Sequence, residues 1–413
     1  MRANPTAHDL RRINRRTVLR TMFADEPISR LELSQRSGLS TGTVTNVISE
    51  LLAEGLVLES GFEASEGGRR RILLTFNQDY GYLLGGEVGE TDIGIELFDL
   101  TLQKIKAVRY PLVSEQNTPE QVASRVVEGV KFLLNETGVP GEKILGLGLG
   151  LPGIIEHTDN ELVFAPDWGW KPVPWKAMLR EHLPFPVHLD NGSKIMALAE
   201  MRSNPGSQNE TVAAVQIGTG VSAGVIYQGK LYRGATNSAG EWGHTIIEID
   251  GKTCRCGRQG CLEAYIGAPG IMRHLRELDA TSPFLVPVDE IAVMTALIEA
   301  AQQNHPVALQ VIQDIYRYLG AGLANLINLF NPQRIIIGGW LGLQLCAVAF
   351  PELCRLIERY ALKQPFEVAE ISLSKLGRDG VSTGGALLVL EDFFEDVRGL
   401  KNRVPASSAL RST

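Results

Sequence analysis

One arrangement of residues occurs twice in the chain and constrains its fold more than any other feature. An apolar run, a glycine turn and a second apolar run occupy residues 83–98, and the same order recurs at residues 213–226. Apolar runs of about four to eight residues bounded by glycine are typical of buried strands. Two copies predict a duplicated, two-lobed body with a cleft between the lobes, and such turns can cradle phosphates with backbone N–H groups. A single turn of this kind is also compatible with a plain hairpin.

The rest of the body has the pattern of an α/β fold. Further apolar strands are predicted at residues 144–151 and 334–337, and helices at residues 119–137, 194–202, 288–302, 306–330 and 384–394. Strands that alternate with helices form layered α/β architectures. The polar residues after position 400 show no pattern and are expected to be disordered. No stretch approaches the ~18 uninterrupted apolar residues of a membrane span, so no membrane partner is expected.

The first eighty residues have a different organisation. Apolar residues at helical spacing predict a helix over 9–24, and Ser29 with Glu32 forms a capping box that opens a short second helix. Gly38 can take the left-handed conformation that closes this helix, and Ser40 caps a third helix that runs to about Glu54. Two apolar runs, at 56–59 and 72–76, then flank a tip of glycine and arginine. This order predicts a winged helix-turn-helix.

Several side chains of this unit are suited to DNA. The third helix presents small hydroxyl and amide groups, which reach base edges and phosphates without bulk or negative charge. The candidate DNA-binding residues are Ser40, Thr41, Thr43, Thr45 and Asn46 in the helix and Arg69, Arg70 and Arg71 in the wing. Residues 1–75 contain 11 Arg against 9 Asp and Glu, whereas the whole chain has a net charge of −7, so the head is basic and the body acidic. A three-helix protein-interaction module with a charged loop is the alternative.

Three of the five cysteines, Cys254, Cys256 and Cys261, crowd together downstream of His244. The N-terminus is polar and arginine-rich, without the apolar segment of a secretory signal, so we expect a cytoplasmic protein. Clustered cysteines in that compartment favour a metal over disulfides. Three thiolates and one imidazole make a closed tetrahedral shell, which predicts structural zinc on these four residues. The alternative is a glycine turn with buried free cysteines.

Two glutamates accompany the predicted metal ligands. Glu241 lies just before His244, and Glu263 just after Cys261, so a bound metal would hold both carboxylates near the second nitrogen of His244. Carboxylates and an imidazole clustered in this way can accept hydrogen bonds from several hydroxyl groups, which is typical of a sugar site. Glutamates that are merely solvated are the alternative.

Taken together, these residues resemble the ROK family (repressors, open reading frames and sugar kinases), in particular its long members with an N-terminal helix-turn-helix. The resemblance runs from about residue 8 to 395 and is most specific in Gly240-Glu241-Trp242-Gly243-His244 and in the Cys-x-Cys-Gly-x-x-Gly-Cys-x-Glu segment that begins at Cys254. It implies an α/β, actin/hexokinase-like (ribonuclease H-like) body, zinc on His244, Cys254, Cys256 and Cys261, and sugar contacts from Asn191, Glu241, His244 and Glu263. The expected domains are a DNA-binding domain at 1–80, an N-terminal lobe at 81–200, a C-terminal lobe with the zinc loop at 201–396 and a tail at 397–413.

The chain differs from the kinases of this family at the positions where those kinases bind ATP and remove a proton from the sugar hydroxyl. Those kinases place an Asn-Asp pair before a helix, with the aspartate as base, whereas this chain has Asn191 and Gly192 there. Asp190 is one residue off and is expected to point elsewhere, so no catalytic residue is predicted. The first phosphate loop carries Glu90 where phosphates would lie, and Trp340 follows the glycines of the adenosine segment. The wing tip also lacks the proline that is common in the family.

The sequence therefore predicts a transcription regulator that binds DNA, responds to a sugar and acts as a repressor. Its expected partners are operator DNA, a sugar effector and further copies of the chain in a homodimer or homotetramer. Glucose, xylose and N-acetylglucosamine all stay open as effectors, with a free sugar preferred to a phosphorylated one. Two alternatives stay open as well: an active ATP-dependent sugar kinase with an accessory DNA-binding domain, and a regulator that responds to a protein partner.

Overall fold

The structure is a computed structural model that describes residues 6–62, 70–112, 117–156, 161–203, 209–286 and 289–396. Three parts can be distinguished in it: an N-terminal head and two α/β lobes. The predicted tail at 397–413 and the wing residue Arg69 lie outside the described residues.

The head contains three helices and a small sheet, as predicted. Its elements are α1 (Ala7–Asp25), β1 (Ile28–Ser29), α2 (Arg30–Ser37), α3 (Thr41–Glu54), β2 (Val57–Phe62) and β3 (Ile72–Phe76), with strand order β1-β3-β2. The capping box is present, because Ser29 N–H donates to Glu32 Oε2 at 3.0 Å and Glu32 N–H donates to Ser29 Oγ at 3.4 Å. Gly38 ends α2 at φ 70°, and the Ser40 hydroxyl caps α3 by accepting from Thr43 N–H at 3.2 Å. The predicted winged helix-turn-helix is confirmed.

The first lobe is built on a five-stranded sheet of order β11-β7-β4-β5-β6. Its elements are β4 (Tyr82–Val88), β5 (Asp92–Phe98), β6 (Lys104–Pro111), α4 (Pro119–Thr137), β7 (Ile144–Leu151), β8 (Ile154–Glu156), β9 (Leu162–Ala165), β10 (Trp170–Val173), α5 (Trp175–Arg180), β11 (Val187–Asn191) and α6 (Gly192–Ser203). The strands β8, β9 and β10 form a separate antiparallel sheet near the cleft.

The second lobe repeats the topology of the first. Its elements are β12 (Val212–Ile217), β13 (Val221–Tyr227), β14 (Lys230–Leu231), α7 (Glu263–Ile266), α8 (Ala268–Leu278), α9 (Glu290–Gln302), α10 (Pro306–Phe330), β15 (Arg334–Gly338), α11 (Trp340–Tyr360), α12 (Lys363–Val368) and β16 (Glu370–Leu373). Its sheet order is β14-β13-β12-β15-β16, with the β12–β13 pair antiparallel and the β12–β15 and β15–β16 pairs parallel. The first sheet shows the same sequence of antiparallel and parallel pairs, so the predicted duplication is confirmed.

The last helix, α13 (Gly380–Glu395), corrects the predicted domain division. It follows the second lobe in sequence but packs on β4 and β7 of the first-lobe sheet. Glycines make this close approach possible: a Cβ added to Gly148 in β7 would lie 1.9 Å from the carbonyl oxygen of Gly385, and one added to Gly85 would lie equally close to Ser382. Residues 380–395 therefore pack with the first lobe, contrary to their expected place in the C-terminal lobe. Helix α6 crosses in the opposite direction, because it follows β11 in sequence but packs on β12 and β13 of the second-lobe sheet as well as on α13.

Replacing Gly148 with alanine should test this packing. The methyl group would meet backbone atoms of α13 that cannot rotate away, and overpacking of this kind costs typically about 1–3 kcal/mol. We expect the free energy of unfolding, measured by urea denaturation, to fall by at least that amount. Gly42→Ala is the matched control, because its new Cβ would meet only the Ser40 hydroxyl at 3.9 Å, and it should leave stability unchanged or raise it. Equal stability of Gly148→Ala and the wild-type protein would contradict the described packing.

The head is attached to the body through α13. Phe394 of α13 packs with Phe23 of α1 and Phe76 of β3, each at a ring-centroid distance of 6.0 Å. Arg16 and Arg20 of α1 form ion pairs with glutamates of α13, Arg16 with Glu395 and Arg20 with Glu391. The buried apolar residues of the head and those on this side of the first lobe thus form one continuous core.

The arginines of α1 have a role that the charge pattern did not predict. Besides the two pairs with α13, Arg15 donates two hydrogen bonds to Glu54, at 2.7 and 2.8 Å, and Arg11 pairs with Glu50 at 3.0 Å. Four of the arginines behind the basic character of the head are therefore engaged by carboxylates of the protein itself. The charge count alone overestimated the basic surface that the head offers to DNA.

Within the described residues, one helix, α11, is long and apolar enough to span a membrane by composition. Its buried side chains, including Leu341, Leu345, Leu353 and Ile357, belong to the core of the second lobe. The helix is broken at Ala349, before Pro351, and the Tyr316 hydroxyl fills the break by accepting from Ala349 N–H at 3.1 Å and donating to Leu345 O at 2.6 Å. The helix therefore packs on the second lobe through one face, and its break lies next to a proline.

Candidate functional site

A cleft lies between the two lobes and brings together the predicted sugar-binding residues. The first lobe contributes the β4–β5 turn, the short 3₁₀ turn Pro166–Trp168 and the start of α6. The second lobe contributes the β12–β13 turn, the segment from Glu241 to His244 and the start of α7. Asn191, Glu241, His244 and Glu263 all line this one cleft.

The four predicted metal ligands converge beside the cleft. One ligand atom from each of His244, Cys254, Cys256 and Cys261 lies within 4.8 Å of all the others. The sulfur atoms of Cys256 and Cys261 are 3.8 Å apart, too far for a disulfide, and Cys254 Sγ lies 3.9 Å from His244 Nδ1. Zinc–sulfur bonds of ~2.3 Å in a tetrahedron give a sulfur–sulfur separation of about 3.8 Å. The cluster can therefore bind a metal, and its donor set and spacing fit a tetrahedral cation.

The surroundings of the thiols also fit a cation. Burial raises the pKa of Cys254 and of Cys261, and the Glu263 carboxylate lies only 3.6 Å from Cys254 Sγ. Thiolates next to a carboxylate in a buried position need a compensating positive charge.

His244 connects the metal cluster to the cleft. Its Nδ1 faces Cys254, whereas its Nε2 lies 4.0 Å from Glu241 Oε2. The Glu263 carboxylate is buried and accepts a hydrogen bond from Val221 N–H at 3.0 Å. Burial raises the pKa of both Glu241 and Glu263. The cleft thus presents oxygen acceptors of restricted mobility next to a ring nitrogen, which suits a ligand with several hydroxyl groups.

The kinase-like segment Asp190–Gly192 has no base that faces the cleft. Asp190 is buried and accepts from Arg233 Nη2 at 2.6 Å and from the backbone of Asn191 at 2.8 Å. Asn191 lines the cleft, but its amide is already bonded, since Nδ2 donates to Gly153 O at 2.8 Å and Oδ1 accepts from the Ser193 hydroxyl at 2.7 Å. Gly192 starts α6 at the cleft wall.

Around the β4–β5 and β12–β13 turns, the cleft is lined by side chains that contact one another. Glu90 receives two hydrogen bonds from Arg255 of the metal loop, at 2.6 and 3.1 Å. The Trp340 indole covers the second glycine turn, so closely that a Cβ added to Gly218 would lie 2.7 Å from Nε1. Thr219 of this turn donates its hydroxyl to Glu290 at 2.7 Å. Burial raises the pKa of Glu87, at the base of the first turn, to about 7.

Asp167 and Arg255 line the cleft but were not identified from the sequence. Arg255 stands between two cysteines, where the metal pattern drew attention to the sulfur atoms alone. Asp167 follows a proline in a region without periodicity, and only the fold brings it across the cleft to His244. No local signal could have found it.

The DNA-facing candidates lie together on the head. Ser40, Thr41, Thr45 and Asn46 are exposed, and Thr43 is half-buried, with its hydroxyl 2.9 Å from that of Ser40 in the helix cap. Arg70 and Arg71 are exposed at the start of the third head strand. Thr45 donates its hydroxyl to Thr41 O at 2.7 Å, so this hydroxyl is bonded within the helix. DNA contact by each of these residues stays a prediction.

Comparisons with known proteins agree with this division. Residues 83–392 match the ROK family, and residues 11–57 match the winged helix-turn-helix DNA-binding family. The chain is 30% identical to the xylose repressor of Caldicellulosiruptor bescii over 388 residues, which cover 93% of this chain and 96% of the relative. Among solved structures, a ROK family transcriptional regulator described as a homolog of the E. coli MLC protein superposes with a TM-score of 0.77 and 26% identity, covering 94% of this chain and 97% of its own.

Kinases of the same fold are also similar to the body. A ROK family glucokinase from Streptomyces griseus, solved in complex with glucose and AMPPNP, superposes with a TM-score of 0.64 and 26% identity over 75% of this chain and 99% of its own. The chain therefore belongs to the ROK family, with an actin/hexokinase-like body that carries an N-terminal winged helix-turn-helix.

Proposed function

We propose that the protein is a sugar-responsive DNA-binding transcription regulator that represses genes of carbohydrate metabolism in the cytoplasm. One observation carries this proposal: two helices run from the cleft to the head. Helix α13 begins at the cleft, where Val381 lines the wall, and ends at the ion pairs with α1. Helix α6 begins at Gly192 in the cleft and carries Arg202 in its last turn, where the guanidinium lies 4.2 Å from the centre of the Phe23 ring in α1.

These helices give the cleft a mechanical connection to the DNA-binding surface. A helix of 16 residues such as α13 is about 24 Å long at ~1.5 Å per residue, and packed helices move as rigid bodies. A sugar that binds more tightly to one arrangement of the lobes would shift α6 and α13, and with them the head. Two copies of the chain in a homodimer or homotetramer would then change the spacing of their α3 helices on a two-fold-symmetric operator.

The sugar would be held by oxygen and nitrogen acceptors of the second lobe. Glu241, Glu263 and the Nε2 atom of His244 can each accept a hydrogen bond from a hydroxyl group. Asn191 could add a donor from the opposite wall, since only one hydrogen of its Nδ2 is used in the contact with Gly153. The metal would be zinc, held by His244, Cys254, Cys256 and Cys261. Zinc supplies no reaction chemistry in such a closed shell; it fixes the loop that carries Arg255 and the orientation of His244.

The same cleft is unsuited to phosphoryl transfer. Loss of a general base typically costs ~10²–10⁴ in rate, and glycine at position 192 cannot accept a proton. Glu90, Arg255 and Trp340 lie around the β4–β5 and β12–β13 turns with contacts that ATP would have to displace. The family likeness to kinases keeps an active sugar kinase with an accessory DNA-binding domain as the second candidate function.

Binding to DNA from upstream of the protein's own gene tests the proposal. Fluorescence anisotropy at fixed salt should give specific binding that D-xylose, D-glucose or N-acetyl-D-glucosamine changes several-fold. Asn46→Ala should weaken this binding by roughly 1–3 kcal/mol, or about 5- to 150-fold, because an amide in the major groove can make a bidentate contact to adenine. Asn135→Ala, an exposed asparagine in α4, is the matched control and should bind like the wild-type protein.

The outcomes separate the alternatives. Equal DNA affinity of the Asn46 and Asn135 variants would contradict the assignment of α3 as the recognition helix. Specific DNA binding that none of the three sugars changes would favour a protein partner as the signal. Transfer of phosphate from ATP to any of the three sugars would establish the kinase alternative.

A further inference from the structure

Asp167 is an acidic side chain of the first lobe that lies in the cleft beside the predicted sugar contacts. It belongs to the 3₁₀ turn Pro166–Trp168, between β9 and β10. One oxygen of its carboxylate lies within 4.8 Å of a ring nitrogen of His244 and of a carboxylate oxygen of Glu263. The side chain is exposed to the cleft, and Trp168 beside it is buried against Trp170 at a ring-centroid distance of 4.8 Å.

The position of Asp167 across the cleft sets it apart from three of the four predicted contacts. Glu241, His244 and Glu263 belong to the second lobe, and Asn191 of the first lobe already uses its amide in bonds to Gly153 and Ser193. Asp167 therefore adds a free acceptor on the first-lobe side of the ligand. A hydroxylated ligand that also donates to Asp167 would be held from both sides. Such a contact forms only when the lobes are close together, so its free energy favours the closed arrangement.

The charges around this position decide what kind of ligand fits. Asp167, Glu241 and Glu263 place three carboxylates around the space next to His244. Arg255 is the cation beside Glu263, but it already donates to Glu90 at 2.6 Å and lies 3.5 Å from Glu263. Lys194, whose charge acts on Glu241, is buried and donates to the Asn237 carbonyl. A phosphate ester would bring about two further negative charges into this cluster, and like charges in a partly desolvated site repel strongly.

We propose that Asp167 is a direct effector contact supplied by the first lobe, and that it restricts the effector to an uncharged monosaccharide and excludes sugar phosphates. This inference rests on the proposed function, since it assigns a further residue and a ligand class to the same cleft. Its carboxylate accepts hydrogen bonds from sugar hydroxyl groups and closes the first lobe onto the ligand.

Calorimetric titration of the full-length, metal-loaded protein tests the inference. The probes are D-xylose, D-glucose and N-acetyl-D-glucosamine, together with the 6-phosphates of the last two. Asp167→Ala should weaken the binding of the preferred free sugar by about tenfold or more, the expected loss for a charged hydrogen-bond partner of ~1.5–3 kcal/mol. Asp167→Asn keeps the shape without the charge, so it should narrow the difference between a free sugar and its phosphate ester. Glu128→Gln, an exposed glutamate of α4 in the same lobe that does not line the cleft, is the control and should bind like the wild-type protein.

Each result bears on a distinct claim. If the wild-type protein binds a free sugar and Asp167→Ala binds it with the same affinity, the inference is wrong and the proposed function still stands. Tighter wild-type binding of a 6-phosphate than of its free sugar would also overturn it. Failure of the wild-type protein to bind any of the five probes would contradict the proposed function as well. Unchanged thermal unfolding of both Asp167 variants is expected, because this side chain is exposed.

Discussion

Replacing Cys261 with serine is expected to remove the bound metal and, with it, the affinity for sugar. Cys261 is fully buried and immediately precedes Leu262 and the helix α7 that begins at Glu263, so the loss of one thiolate releases the loop that positions both Glu263 and His244. Structural zinc contributes on the order of 10 kcal/mol to the folding of small zinc domains at neutral pH. We therefore expect a fall of several kcal/mol in the free energy of unfolding and no measurable sugar binding. Elemental analysis, thermal unfolding and calorimetric sugar titration check the three effects.

The chain offers a matched control for this experiment. Cys354 in α11 is half-buried and lies outside the cluster, so Cys354→Ser should keep the metal, the stability and the sugar affinity. Treatment of the wild-type protein with a strong chelator should reproduce the Cys261→Ser behaviour. One equivalent of metal retained by Cys261→Ser, with an unchanged unfolding temperature, would contradict the assignment of this cysteine as a ligand.

Replacing both Glu391 and Glu395 with lysine is expected to make the DNA affinity independent of sugar. These glutamates pair with Arg20 and Arg16, and two lysines in their place would repel the head from the end of α13. Allosteric coupling energies are typically ~1–3 kcal/mol, or about 5- to 150-fold in affinity. The double variant should still bind DNA, but sugar should change its DNA affinity by less than about twofold. DNA titrations with and without saturating sugar measure this directly.

Added positive charge raises DNA affinity by itself, so the control must carry the same charge. Glu128→Lys with Glu358→Lys changes two exposed glutamates in α4 and α11, away from the head, and should keep the response to sugar. Exchanging the partners, with Arg16→Glu and Arg20→Glu added to the charge-reversed variant, should restore the response. A full sugar response in the Glu391 and Glu395 variant would show that these ion pairs do not transmit it.

The fold could be read from the sequence wherever the signal was local. The helices α4 and α10 begin and end at the predicted residues. Thr118 and Pro119 mark the start of α4, and Pro306 and Asn331 mark the two ends of α10. The duplication could be predicted because each copy contains two buried antiparallel strands joined by a glycine turn. The metal residues were readable because their spacing is short.

Features that depend on contacts between distant parts of the chain could not be predicted from the sequence. The sequence does not indicate that α13 returns to the first lobe, since that is set by glycines in β4 and β7 that admit its backbone. The arginines of α1 suggested a basic surface, but their carboxylate partners lie as far away in sequence as Glu391 and Glu395. Likewise, Glu90 was recognised as incompatible with phosphate, while its partner Arg255 is brought to it only by closure of the two lobes.

We propose above all that the sugar cleft and the DNA-binding head are thermodynamically linked. Titration of sugar into the free protein and into its operator complex measures this linkage most directly. Linkage is reciprocal: if sugar changes DNA affinity by a given factor, DNA must change sugar affinity by the same factor. The account predicts two different sugar dissociation constants whose ratio equals the change in DNA affinity. Identical sugar dissociation constants in the free and DNA-bound states would contradict it.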